Sequence, residues 1–233
     1  MTKKVAVVTA ASKGMGAACA TELAQRGYDL VLMSRSDAVL ELADTLQGIG
    51  LQGDVTNPDD LERVVDFAFK QYGRIDAVVN NTGHPAKGDL LGISDQEWHH
   101  GLDLLLLNVV RIARHVVPIM EKKEGGSIVN ISSFGAREPS LDFPLSSSLR
   151  AALSAFTKLF ADQYANQGIR MNNVLPGFVD SYPIDNETKE NIPMQRSGSV
   201  KEIAKTVAFL ISDDADYITG QSICVDGGLG RSF

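Results

Sequence analysis

The stretch "TAASKGMGAACA" brings two glycines, Gly14 and Gly16, to the place where a short apolar run meets a helical pattern. Glycines there let the backbone turn sharply and approach a pyrophosphate. The N–H groups and positive dipole of the helix start then receive the phosphates. Plain turns also use glycine pairs; the position after a first strand and at the opening of a first helix favours a dinucleotide. Lys13 lies inside the same loop. A second stretch, "SSFGAREPSLDFPLSSSLRAALSAFTK", carries Ser132, Ser133, Ser146 and Arg150. Its i, i+4 pair, Ser146 and Arg150, falls on one face of a predicted helix.

These groups need a scaffold. Short Val- and Ile-rich runs at 4–10, 29–34, 50–54, 75–81, 126–132, 170–176 and 222–227 alternate with helical patterns. Most of the runs are apolar throughout, as strands covered on both faces must be. The segment 57–73 predicts a helix with Asn57 as N-cap, Pro58 at its first position and Gly73 at its close. The glycine at 27 reads as the residue just past the end of the first helix. A long helix is expected over 94–123, broken near Gly101, and another from about Leu145 to Gln167. Ser199 and Glu202 form a capping box for a last helix. Strand and helix alternating about six times means parallel pairing through right-handed crossovers. The expectation is an α/β fold: residues 1–233 as a single doubly wound (Rossmann) domain, a parallel seven-stranded sheet with helices on both faces.

Composition excludes several classes. The chain has 233 residues, 44% hydrophobic and 22% charged, with a net charge of −7. That balance suits a folded protein and speaks against a general nucleic-acid or anionic-membrane binder. Cys19 and Cys224 form neither a metal motif nor a disulfide framework, so no metal site is expected. No run of 18 apolar residues exists, and the start of the chain lacks a signal-like apolar core. A cytoplasmic protein without membrane partners is expected.

Taken together the motifs resemble those of the short-chain dehydrogenase/reductase family, in its 3-oxoacyl-ACP-reductase-like branch. The loop is similar to T-G-x-x-x-G-x-G, with Ala10 at the first glycine. Asp54-Val55, "NNTG" at 80–83, Asn108, "SS" at 132–133, "PG" at 176–177 and "YITGQSICVDGG" follow in register along nearly the whole chain. The resemblance implies a nicotinamide cofactor held by Thr9, Ser12, Lys13, Gly14, Met15 and Gly16. Further along, Asp54 and Val55 would meet the adenine, and Asn81, Thr82 and Gly83 the ribose. Pro176, Gly177, Val179 and Ser181 would meet the nicotinamide, and Arg150 its ribose. An acid ending strand two would select NAD(H) and repel a 2′-phosphate. Here Ser34 stands at that position and Arg35 follows, so NADP(H) is expected over NAD(H).

Family members use an Asn, a Ser, a Tyr and a Lys four positions after the Tyr. Asn108 and Ser133 match the first two, with Ser132 as the alternative serine. The Tyr position is Ser146 and the Lys position is Arg150. A phenol titrates near ~10, whereas a serine hydroxyl is a far weaker acid. Arg cannot relay a proton, but it can stabilise an oxyanion. Losing a positioned general acid costs ~10²–10⁴ in rate. Ser146, Tyr182, His84 or water could supply the proton, and Phe143, Phe178, Tyr182 and Met194 could wall a substrate pocket. The expected function is NADP(H)-dependent hydride transfer between the nicotinamide and a small ketone or secondary alcohol, with an altered acid/base centre. The alternative is a weakly active or inactive NADP(H)-binding protein, a sensor or partner subunit. The resemblance also implies a homo-oligomer, tetramer or dimer, through the helices at about 103–120 and 146–165.

Overall fold

Seven parallel strands form one sheet in the order β3-β2-β1-β4-β5-β6-β7. The computed structural model describes residues 3–123 and 125–232. The strands are β1 (Val5–Thr9), β2 (Asp29–Ser34), β3 (Ile49–Gln52), β4 (Ala77–Asn80), β5 (Gly126–Ile131), β6 (Ile169–Pro176) and β7 (Ser222–Val225). The expected sheet is thus present, with boundaries within one or two residues of the apolar runs. Strand three ends sooner than expected. Gly53 N–H already bonds back to Ser34 O, and Asp54 folds its carboxylate onto Thr56 N–H and Oγ1.

Helices cover both faces. On one side lie α3 (Pro58–Tyr72), α5 (Asn108–Lys122) and α6 (Pro144–Tyr164), burying Leu61, Val64, Ile112, Val116, Leu145 and Phe160. On the other lie α1 (Gly14–Gln25), α2 (Ala38–Thr45) and α8 (Val200–Ile211), burying Cys19, Leu23, Val39, Ile203 and Val207. The expected caps are in place. Asn57 accepts from Asp59 N–H, and Ser199 and Glu202 form the reciprocal box. Helix α2 had no counterpart in the sequence reading. Its eight residues bury only Val39 and Ala43, too weak a stripe to stand out. A five-residue helix, α7 (Asn186–Glu190), interrupts the loop after β6 and was also missed.

The break in the long helix does not lie at Gly101. Gly101 stays helical in α4 (Asp95–Leu102), where the Leu145 side chain occupies the space a Cβ would need, 2.4 Å away. The irregularity is one π turn later, at Asp103–Leu107. There Asn108 Nδ2 donates to Leu104 O at 2.8 Å and supplies part of what a regular helix would have supplied. Among the described residues, no helix is long and apolar enough to cross a membrane.

The chain winds β1→β2→β3 in one direction and then returns to place β4 on the other side of β1. The crevice above the carboxyl ends of β1 and β4 is therefore the switch point, where doubly wound sheets take ligands.

Candidate active site

The loop after β1 is built by three constraints. Ala10 has φ 45, a left-handed conformation that favours glycine. Gly16 packs so tightly that a Cβ would lie 2.4 Å from Ala10 O and 2.6 Å from Asn81 Nδ2. Asn81 Nδ2 in turn donates to Ala10 O at 3.1 Å. Thr9 and Asn81 close the crevice floor: Thr9 Oγ1 donates to Asn81 O at 2.8 Å and accepts from Asn81 N–H at 3.0 Å. Thr9 and Gly16 thus hold the crevice together from beneath rather than line it.

Above this floor lies a cleft of about 950 Å³. Ser12, Lys13, Gly14 and Met15 line its phosphate-loop side. Ser34 and Arg35 line the end of β2, and Asp54 and Val55 the end of β3. Asn81, Thr82, Gly83 and Ser181 line the far side. No carboxylate ends β2: Ser34 is buried and donates to Ser12 Oγ at 2.9 Å, while Arg35 is largely exposed and 3.9 Å from Asp54. The Thr82 hydroxyl is buried and has no partner among the described residues. Glycine-lined backbone, an unpartnered hydroxyl and a basic rim fit a dinucleotide carrying a 2′-phosphate.

Lys201 and Lys205 also line this cleft and were missed from the sequence. Their i, i+4 spacing puts both on the polar face of α8, opposite Ile203 and Val207. Only the packing of α8 against α1, a tertiary fact, turns that face towards the phosphate loop.

Pro176, Gly177 and Val179 do not line the cleft. Gly177 is pressed against Asp226, with 2.9 Å from a hypothetical Cβ to Asp226 Cα, and Val179 pairs with Gly198. Asn108, Ser133, Ser146 and Arg150 lie outside the lining as well. Three of them gather at the end of β5. Ser133 Oγ accepts from Gly135 N–H at 3.2 Å. Arg150 crosses from α6, with NH1 donating to Ile131 O at 3.0 Å and Nε to Ser146 Oγ at 3.2 Å. Asn108 opens α5 directly after the π turn, which packs against α6. Its Oδ1 and the Ser132 hydroxyl are buried without partners among the described residues. Burial pushes the Arg150 guanidinium down to about 10, so it remains a cation at neutral pH.

His84 and Tyr182 bridge two loops as an edge-on pair with ring centroids 5.0 Å apart, and Phe134 meets Phe178 at 5.6 Å. Burial, then the charges of Arg150 and Lys87, hold the His84 imidazole below its usual range. At neutral pH it is mainly the neutral base, which weakens it as a proton donor. Phe143 lies beneath Lys87, whose Nζ is 4.7 Å from the ring centre, and Met194 is exposed.

One layer below the site runs a buried amide ladder that the strand pattern concealed. Asn80 Nδ2 donates to Asn130 Oδ1, Asn130 Nδ2 to Asn173 Oδ1, and Asn173 Nδ2 to Ser222 Oγ. The residues stand in register across β4, β5, β6 and β7. Such a ladder satisfies each amide and fixes the relative height of the strand ends that carry the site.

A doubly wound parallel sheet with this crevice at its switch point defines the Rossmann class of fold. Residues 9–230 match the family model described as enoyl-(acyl carrier protein) reductase. The chain is 34% identical over 239 residues to the 3-oxoacyl-[acyl-carrier-protein] reductase FabG of Buchnera aphidicola subsp. Baizongia pistaciae (strain Bp), covering 98% of each chain. Among solved structures it is similar to YwfH, an NADPH-dependent reductase involved in bacilysin biosynthesis. That pair has 27% identity and a TM-score of 0.94 over 99% of this chain and 100% of the other. It is also similar to a blue fluorescent protein from a metagenomic library in complex with NADPH, with 29% identity and a TM-score of 0.92 over 98% of each. The chain belongs to the short-chain dehydrogenase/reductase family.

Proposed function

We propose that the protein is an NADP(H)-dependent oxidoreductase that reduces a small ketone, or oxidises the matching secondary alcohol, with an altered acid/base centre. The NADPH-linked solved structures support the cofactor, as does a cleft with Lys13 and Arg35 at its rim and no acid at the end of β2. When bound, NADPH supplies the hydride. Ser12, Gly14 and Met15 would receive the pyrophosphate on the loop and helix start, and Lys13 and Arg35 the 2′-phosphate. Asn81, Thr82 and Ser181 would hold the ribose and nicotinamide end.

One observation carries the chemistry: Arg150 Nε donates to Ser146 Oγ at 3.2 Å. The hydroxyl oxygen accepts from a cation, so its own proton is free to point at an acceptor and is more acidic for it. Arg150 and Ser133 would polarise the carbonyl oxygen, and Ser146, or a water beside it, would deliver the proton. No phenol stands at position 146, so turnover is expected to be slow by about 10²–10⁴ relative to a tyrosine centre.

Following reduced-nicotinamide absorbance across a panel of ketones tests this reading. Micromolar NADPH binding with slow oxidation is expected. Tight NADPH binding without turnover of any ketone would instead support a cofactor-binding sensor or partner subunit.

A further inference from the structure

We infer that Arg150 anchors an anion subsite, and that the substrate is an oxo acid whose carboxylate lies one or two carbons from the carbonyl. The inference rests on the reading of the site as a carbonyl reductase and narrows its substrate class.

Arg150 exposes only 6% of its surface. A guanidinium has five N–H donors, and the structure assigns partners to two kinds of them: a backbone carbonyl and a serine hydroxyl, both neutral. Among the described residues, none of the ion pairs involves Arg150. A buried cation with no counter-charge carries a large desolvation cost, and buried charges are otherwise paired.

The acids nearest in sequence are engaged elsewhere. Glu138 accepts from the N–H groups of Arg231 and Ser232, and exposed Asp142 accepts from Ser140. A second cation, Lys87, also lacks an ion pair among the described residues and stands over Phe143. Arg150 and Lys87 both act on His84, so two cations without ion pairs among the described residues gather here in a chain whose net charge is −7.

A developing alkoxide would offset this cost only fleetingly. A permanent carboxylate offsets it throughout the bound state, and the planar fork of Arg matches a carboxylate at two points. A serine at 146 takes up less space beside the guanidinium than a phenol ring would. A carbonyl one or two carbons away would then lie within reach of the same fork and of Ser133.

The test uses the whole protein with NADPH. 2-Oxobutanoate and 3-oxobutanoate are each compared with their ethyl esters. For at least one pair the acid is expected to exceed the ester in kcat/KM by about tenfold or more, and Arg150→Met to erase the preference. Esters used as well as both acids would overturn the proposal. Butanoate, which cannot be reduced, is titrated calorimetrically into the protein saturated with NADP⁺. Binding that weakens about tenfold or more in Arg150→Met is expected; binding absent from the wild type, or unchanged in the variant, would overturn it. Because this arm reads binding alone, Arg150-dependent butanoate binding without turnover of any ketone would leave the anion subsite standing and remove the reductase reading. Turnover of neutral ketones without butanoate binding would do the reverse.

Discussion

Two buried arginines sit at opposite ends of the same sheet and are treated differently. Arg170, at the start of β6, donates to Leu210 O, Ile218 O, Ile211 O and Ser212 O, and its Nε lies 3.9 Å from Asp216. It caps the end of α8. Nearby, Asp76 accepts from Val5 N–H and pairs with both Arg74 and Lys123, which together hold its carboxyl below the usual range against the opposing effect of burial. At the carboxyl end, Arg150 meets two neutral acceptors, and the Asn108 Oδ1, Ser132 Oγ and Thr82 Oγ1 atoms have no partner among the described residues. Most polar groups that serve the fold are satisfied within it, although Gln167 Oε1, just before β6, is buried without a partner among the described residues. Those left open at a strand-end crevice are free to meet a ligand, and the desolvation this costs is a property of functional sites.

The sharpest break in this contrast is expected from Arg170→Met. It strands several buried carbonyls and should lower unfolding free energy by about 3 kcal/mol or more in denaturant titrations. An effect under about 1 kcal/mol would mean that the amino-end network is as dispensable as a surface pair.

Next in size is the double change Ser146→Tyr with Arg150→Lys, which puts a phenol and a relay-competent amine back into the site. Turnover of neutral ketones should rise by about tenfold or more. No gain would mean that the pocket geometry has departed from that of a tyrosine-centred reductase.

The smallest effect belongs to the phosphate loop. Ala10→Gly relieves a left-handed alanine and should stabilise the protein by about 0.5–1 kcal/mol, read as a rise in Tm. A fall in Tm would show that the loop draws rigidity from Ala10 that outweighs its strain.

Much of this was legible in the sequence, and the limits have physical causes. Seven apolar runs announced a sheet covered on both faces, because strands such as β1 and β6 are buried along their whole length. Asn57, Ser199 and Glu202 announced helix starts because capping chemistry is local. The glycine pair and Arg35 announced the cleft for the same reason. Helix α2 was missed because it buries just two residues. The π turn was missed because no residue type marks it, and Asn108 Nδ2 reaches Leu104 O only within the formed helix. The amide ladder was unreadable because Asn80, Asn130 and Asn173 pair only through strand register, some 40–50 residues apart in the chain. Above all, the identities of residues 146 and 150 showed what was missing from the site. Only their geometry showed a cation turned onto the substituted serine with no counter-charge beside it.

The most direct measurement is the unfolding free energy of Arg150→Met beside that of the wild type, by denaturant titration. Burying a charge kept for a ligand costs the empty fold at least as much as its hydrogen bonds to Ile131 O and Ser146 Oγ return, so the variant is expected to be as stable as the wild type or more stable by about 1–3 kcal/mol. A loss of about 3 kcal/mol, matching Arg170→Met, would contradict this and make Arg150 one more structural arginine.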